Sequence, residues 1–359
     1  MKKTLIALAA LAATSAFAQS TVTMAGGIMY GMSTATTGIN TYGAWKGDRN
    51  YLNIAATEDL GGGLKVTAQV HFRYNSGTGN TGGYVSSTTG DADDNLFEQT
   101  SLAVDSPYGQ VRVGRFTNQI GISPLHPLED SAQSTASHKA ANGRWSGQTQ
   151  YTSPAFMGVQ VWALNAQKAQ NKFAGGGTGS GYLVTNNMSL LDTPANRIGT
   201  QRWANLGAAG VKYTNGPLFA EFYSVTDMQG QDQTKIGASY DLKVVKLFAS
   251  QFNQKTDVQS SASAGLAAHK ATEIAATVPY GNFLFQIGQF NASKDLQLGV
   301  TNGSTKASKT GWGATYDLSK RTKIVYAGSK TTDGVAAATA NHGGLVTGTN
   351  RYIGLAHTF

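Results

Sequence analysis

Apolar and polar positions alternate with period two in many segments of about ten residues, the pattern of strands that present two different faces. Leu64, Val66, Ala68, Val70, Phe72 and Tyr74 share one face, with Lys65, Thr67, Gln69, His71 and Arg73 on the other. Ala209, Val211 and Tyr213 oppose Gly210, Lys212 and Thr214. Ile274, Ala276, Val278 and Tyr280 oppose Glu273, Ala275 and Thr277, and Trp312, Ala314, Tyr316 and Leu318 oppose Gly313, Thr315 and Asp317. Ile353, Leu355 and Phe359 form the last apolar face. The 3.6-residue period of an amphipathic helix is nearly absent. No later segment approaches the 18 consecutive apolar residues of a membrane-crossing helix.

Connections between the strands alternate in length. Seven short ones carry turn chemistry: residues 58–63, 105–109, 153–158, 215–217, 241–243, 280–282 and 317–320. They hold the Gly, Asn, Asp and Pro residues that allow tight reversals. Eight longer, polar links run over about 36–48, 76–95, 117–148, 167–204, 227–232, 255–269, 294–308 and 332–348. Fifteen strictly alternating connections join sixteen strands and put every long link at one end. A soluble sandwich has no reason for that asymmetry, whereas bacterial outer-membrane barrels combine short periplasmic turns with long extracellular loops. The expected fold is therefore all-β, a 16-stranded antiparallel transmembrane β-barrel. Sixteen strands close a barrel too wide for side chains to fill, so an aqueous channel is expected. Tyr74, Tyr151, Tyr213, Tyr240, Tyr280, Tyr316 and Phe359 lie near strand ends, where interfacial girdles form; ordinary strand packing is the equal alternative for any one of them.

Composition agrees with a protein whose outside is not water. Charged residues make up 13% of the 359-residue chain, against roughly 25% in soluble domains, and the 44 glycines are nearly twice the usual share. The 15 Tyr, 14 Phe and 5 Trp argue against disorder. The absence of cysteine excludes disulfides and thiolate metal sites. At the N-terminus, Lys2 and Lys3, an apolar run from Leu5 to Ser15, and Ala16-Phe17-Ala18 have the pattern of a signal peptide over residues 1–18. Cleavage there leaves a mature barrel domain over 19–359 with net charge near +6.

Four segments resemble the trimeric general porins of Gram-negative outer membranes, in their beta-proteobacterial form. Thr57-Glu58-Asp59-Leu60-Gly61-Gly62-Gly63-Leu64-Lys65 resembles that family's first periplasmic turn. Tyr108-Gly109-Gln110-Val111-Arg112-Val113-Gly114-Arg115 resembles its fifth strand, which leads into the long third loop. Gln150 to Val159 resembles the hairpin after that loop, and Tyr352 to Phe359 the closing strand. The resemblance implies passive diffusion of small hydrophilic solutes and ions. It also implies a homotrimer embedded in outer-membrane lipid and lipopolysaccharide, and a terminal Phe359 read by the barrel-insertion machinery. The third loop, about 117–148, is expected to fold into the lumen as a constriction. There its carboxylates, Glu129 and Asp130, face a basic wall.

Parity places Arg49, Arg73 and Arg112 on that wall, with Arg73 in mid-strand near the constriction. Tyr51 and Gln99 stand where the resemblance implies further arginines. Arg115 falls on the lipid side by strict alternation, a costly place for a charge at the bilayer centre. It is therefore expected past the apolar band, anchoring the loop. Inward Lys65, Arg73, Arg112, Lys212, Lys235 and Lys323 outnumber inward Glu221, Glu273, Asp241 and Asp317, which predicts weak anion preference.

Other classes fit less well. The six histidines, at 71, 126, 138, 269, 342 and 357, lack partners at telling spacing, so neither enzyme nor metal centre is expected, and no cofactor is implied. Residues 175–181 are glycine-rich but lack the Gly-Lys-Ser/Thr ending of a phosphate loop. The basic charges are spread singly, without the patch a nucleic-acid partner needs. A substrate-specific channel with a solute-binding lumen is the main alternative, distinguished by saturable flux. An adhesin or purely structural barrel would show no conductance.

Overall fold

The computed structural model describes residues 20–35, 40–43, 50–74, 97–120, 122–125, 127, 144–166, 206–226, 231–256, 269–292, 307–332 and 348–359. The first strands are β1 (Thr21–Ala35), β2 (Asn40–Gly43), β3 (Tyr51–Gly61), β4 (Leu64–Arg73), β5 (Phe97–Ser106) and β6 (Gly109–Thr117). Then come β7 (Arg144–Thr152), β8 (Val159–Ala166), β9 (Leu206–Asn215), β10 (Leu218–Thr226), β11 (Gln231–Asp241) and β12 (Lys246–Thr256). The last are β13 (His269–Tyr280), β14 (Phe283–Ala292), β15 (Ala307–Asp317), β16 (Thr322–Thr332) and β17 (Gly348–Thr358).

Each strand pairs antiparallel with its neighbours, and the sheet closes on itself. β1 pairs with β17 through Gly27↔Thr358 to Ala35↔Asn350. On its other edge β1 pairs with the four-residue β2 and then with β3, so those two strands occupy one position in the wall. The result is a closed 16-strand antiparallel β-barrel, as the alternating connections predict. Closure matters because an open edge would leave backbone donors and acceptors unpaired in hydrocarbon. A ten-residue strand at about 3.4 Å per residue, tilted about 45°, rises about 24 Å, the height of an outer-membrane apolar band.

Side chains sort as the alternation requires. On β1, Val22, Met24, Ile28, Tyr30 and Met32 point outward and are exposed, while Met29 is buried inside. Ile353, Leu355 and Phe359 are likewise exposed, while Tyr352 and Ala356, on the opposite face, are buried. The seven short turns all fall where Gly, Asn, Asp and Pro placed them. In the turn between β11 and β12, Lys243 takes φ +69° and its amide donates to the Asp241 carboxylate at 2.7 Å. The chain ends by pairing with its own beginning: Gly26 and Phe359 exchange two backbone hydrogen bonds of 3.0 Å. The Phe359 ring lies over Gly26 so closely that a Cβ there would stand 2.3 Å from it.

Candidate functional site

The lumen is organised by the segment that follows β6. Gly114, at φ +117°, and a register shift between Gly114 and Phe116 bend the strand as it leaves the wall. A Cβ on Gly114 would lie 2.4 Å from the Thr100 carbonyl oxygen, so the bend requires glycine. Polar side chains of the neighbouring strands then take up the freed backbone groups. Thr117 N–H donates to Gln99 Oε1 at 2.9 Å, and Gln119 N–H to Gln150 Oε1 at 3.1 Å. The Gln148 amide donates to the Phe116 carbonyl and accepts from Asn118 Nδ2 at 3.2 Å.

From there the loop lies against the inner wall of β8–β14. Ile120 enters an apolar socket with Trp162, Leu164, Tyr223, Val225, Phe252 and Phe290. Lys212 Nζ donates to Gln119 Oε1 at 2.5 Å. Ser123 Oγ donates to Glu221 and accepts from Lys235 Nζ at 2.9 Å, while Lys235 and Glu221 form an ion pair at 2.9 Å. That pair is almost wholly buried, each side chain 2% exposed. Leu125 packs on Phe248, Ala275 and Phe219, over Gly237, where a Cβ would sit 2.3 Å from Leu125 Cδ1. Gln286 Nε2 reaches the Pro127 carbonyl at 2.8 Å.

The facing wall, β3–β6, carries a polar ladder. Arg112 donates from Nε to Ser101 Oγ at 3.0 Å and from its guanidinium end to Gln69, and lies 4.5 Å over the Phe116 ring. Gln69 Nε2 donates to Asn53 Oδ1 at 2.6 Å. Arg73 pairs with Glu98 at 2.8 Å, and His71 Nε2 lies 3.1 Å from the same carboxylate. Tyr51 stacks on the His71 ring at 5.0 Å.

Several expectations change in this geometry. Arg73 faces inward but is the last residue of β4, not mid-strand. A register shift between His71 and Phe72 turns two successive residues of β5, Glu98 and Gln99, to the inside, which strict alternation forbids. Glu98 therefore offsets Arg73, and Gln99 supports the loop entrance. Lys212 and Lys235 both hold the third loop, and Lys235, neutralised by Glu221, does not act as a free lumenal charge. Asp59, paired with Lys65 at 3.9 Å, and Asp105, bonded by Gln110 at 2.8 Å, join the inward acids. The basic surplus inside is therefore narrower than the alternation gave. Arg115 Nε donates to the Glu98 carbonyl at 3.0 Å, beside the loop entrance. Arg49, Glu129, Asp130, His126 and His138 lie outside the described residues, as do residues 1–19. No group of three or more His, Asp or Glu among the described residues could hold a metal ion.

The loop anchors on Glu221, Lys235 and Gly237 are what sequence reasoning missed. Their partners lie about a hundred residues away, so no local pattern marks them. The inward alternation of β10 and β11 was their only available signal.

A closed barrel with an apolar exterior, a polar lining and a loop turned into its lumen defines an outer-membrane channel. The comparisons agree: a family model for Gram-negative porins matches residues 4–337, and the chain belongs to that family. It is 25% identical to an outer membrane porin of Bordetella pertussis over 92% of this chain and 94% of that one. It is 29% identical to outer membrane porin protein 32 of Delftia acidovorans over 69% of this chain and 68% of that one. Its fold matches the anion-selective porin from Comamonas acidovorans with TM-score 0.64 at 20% identity, covering 95% of this chain and 100% of that one. It also matches the trimer form of OmpT of Vibrio cholerae with TM-score 0.65 at 12% identity, covering 95% and 99%. The protein is an outer-membrane porin that forms a water-filled channel for passive diffusion of small hydrophilic solutes and ions.

Proposed function

We propose that this porin is a weakly anion-selective general channel whose constriction lies between the third loop and the Arg112 wall. The observation that carries the reading is the contrast between the two sides of the lumen. On the loop side, Lys235 is neutralised by Glu221 and buried. On the facing side, Arg112 bonds the neutral side chains of Gln69 and Ser101. Arg73 is offset by Glu98. That leaves Arg112 as the wall charge best placed to attract anions, and one such charge in a wet pore gives modest selectivity. The solved anion-selective relative supports the sign.

Within this reading Glu129 and Asp130, on the later part of the loop, face Arg49, Arg73 and Arg112 and temper the preference. Arg115 ties the loop entrance to β5. Residues 1–18 are a cleaved export signal, and Phe359 is the insertion signal. The native assembly is a homotrimer in phospholipid and lipopolysaccharide, and the barrel carries no catalytic site.

Reversal potentials in a KCl gradient across a planar bilayer test the selectivity. The expected zero-current potential favours chloride, and more strongly so in the Glu129→Gln/Asp130→Asn double variant. Clear cation preference would overturn the sign. An unchanged permeability ratio in the variant would remove those acids from the constriction.

A further inference from the structure

The outer wall carries a second feature, away from the lumen. Registered pairing sets Tyr213, Ala220, Ala238, Ala249 and Ile274 side by side across β9–β13. All five belong to the outward-facing set. Three adjacent alanines thus form the floor of a trough perpendicular to the strands. Phe222 and Ile236 make the rim toward the long loops, and Tyr240 and Leu247 the rim toward the short turns. The cavity between the alanine row and the long-loop rim measures about 580 Å³. Gln251 and Thr272 continue the long-loop rim with outward-facing polar side chains, whereas Glu221, Gly237, Ser250 and Glu273 point into the barrel and border the cavity with backbone.

The surroundings decide what fills such a trough. An unfilled groove in hydrocarbon forfeits dispersion contacts along its whole lining, and lipid chains are the solvent of this face. The row crosses four strand spacings, about 19 Å at about 4.8 Å each, comparable with the ~15 Å depth of one leaflet. Ala238 and Ala249 stand three residues from the strand ends that flank the 242–245 turn. That is about 7 Å along the membrane normal at 45° tilt, inside the periplasmic leaflet. The same turn presents the exposed ammonium of Lys243, a cation at headgroup level.

We propose that this trough seats an acyl chain of a periplasmic-leaflet phospholipid whose phosphate pairs with Lys243. The porin therefore carries a specific lipid on its outer wall, in addition to its non-specific lipid shell.

Native mass spectrometry tests this on porin folded into vesicles of phosphatidylethanolamine and phosphatidylglycerol, then moved to mild detergent. The wild type is expected to retain bound phospholipid. Ala238→Phe and Ala249→Leu, which fill the floor, are expected to lower the retained fraction at least fivefold, and Lys243→Gln to lower it as well. Ala314→Phe, the same kind of change on the outward face of β15, should leave retention unchanged. If Ala238→Phe does not insert, Ala249→Leu carries the comparison. Equal retention in wild type and trough variants would overturn the proposal. So would disulfide cross-linking between subunits through Ala238→Cys, which would show a second copy covering the trough; the natural chain has no cysteine to confuse that result.

Discussion

At the scale of single residues, the lumen is governed by which charges are already spoken for. Arg73 has Glu98 at 2.8 Å, whereas Arg112 bonds to Gln69 and Ser101. Glu98→Gln therefore frees a wall arginine, while Arg112→Gln removes the one that matters most. A unit charge about 7 Å from a passing ion in water contributes about 0.6 kcal/mol, close to a threefold change in local ion concentration before salt screening. Because that charge acts oppositely on the two ions, chloride-over-potassium permeability, from reversal potentials in dilute KCl, should rise by up to about sevenfold in Glu98→Gln and fall by a similar factor in Arg112→Gln. Both effects should shrink in molar salt, where the Debye length is about 3 Å.

The buried Lys235–Glu221 pair obeys different rules. Removing one partner strands the other charge under the loop at a cost of about 3–5 kcal/mol, while replacing both restores much of the loss. Lys235→Met should loosen residues 118–127 and increase protease cleavage there, and Lys235→Met/Glu221→Leu should reverse most of that increase. Equal cleavage in wild type and Lys235→Met would remove the pair from its anchoring role.

At the scale of strands and loops, the chain's pattern was legible where the physics is local. Most turns follow from residues that accept positive φ or preset it, although Met157 and Lys243 take positive φ in two of them, and the faces of β1, β13 and β17 follow from their alternation. It failed where a backbone irregularity shifts the parity. Nothing in Phe97-Glu98-Gln99 signals that both polar residues turn inward, because the shift arises from pairing with His71 and Phe72. It failed again at the loop anchor, since Ser123 meets Glu221 across 98 residues and Lys235 across 112. Arg49, Glu129 and Asp130 rest on the resemblance and on parity.

Two changes test the elements themselves. Gly237→Val places a branched side chain where Leu125 Cδ1 already sits, so the loop must lift from β11. Single-channel recordings should then show a noisier current and an altered conductance, while the barrel itself still forms. Ile236, exposed on the outer face in the middle of β11, gives the complementary result. Ile236→Arg should destabilise insertion by about 2–4 kcal/mol, the cost of arginine near the bilayer midplane. The readout is the urea midpoint of folding into vesicles, and an unchanged midpoint would place that face away from lipid.

At the scale of the whole molecule, the low charge and abundant glycine belong to a protein turned inside out. Its exposed apolar side chains meet lipid, and its polar ones line water or pin the loop. The 16-strand circumference makes the lumen too wide to fill, and the third loop narrows it from the β8–β14 side. Nothing among the described residues of that arrangement requires a solute to bind before it passes. The most direct measurement is single-channel current of the refolded porin in a planar bilayer, over a series of KCl concentrations. Ohmic openings in groups of three, with conductance rising almost in proportion to salt, are the predicted result. Absent conductance, or a current that saturates at low concentration, would contradict an open general-diffusion pore.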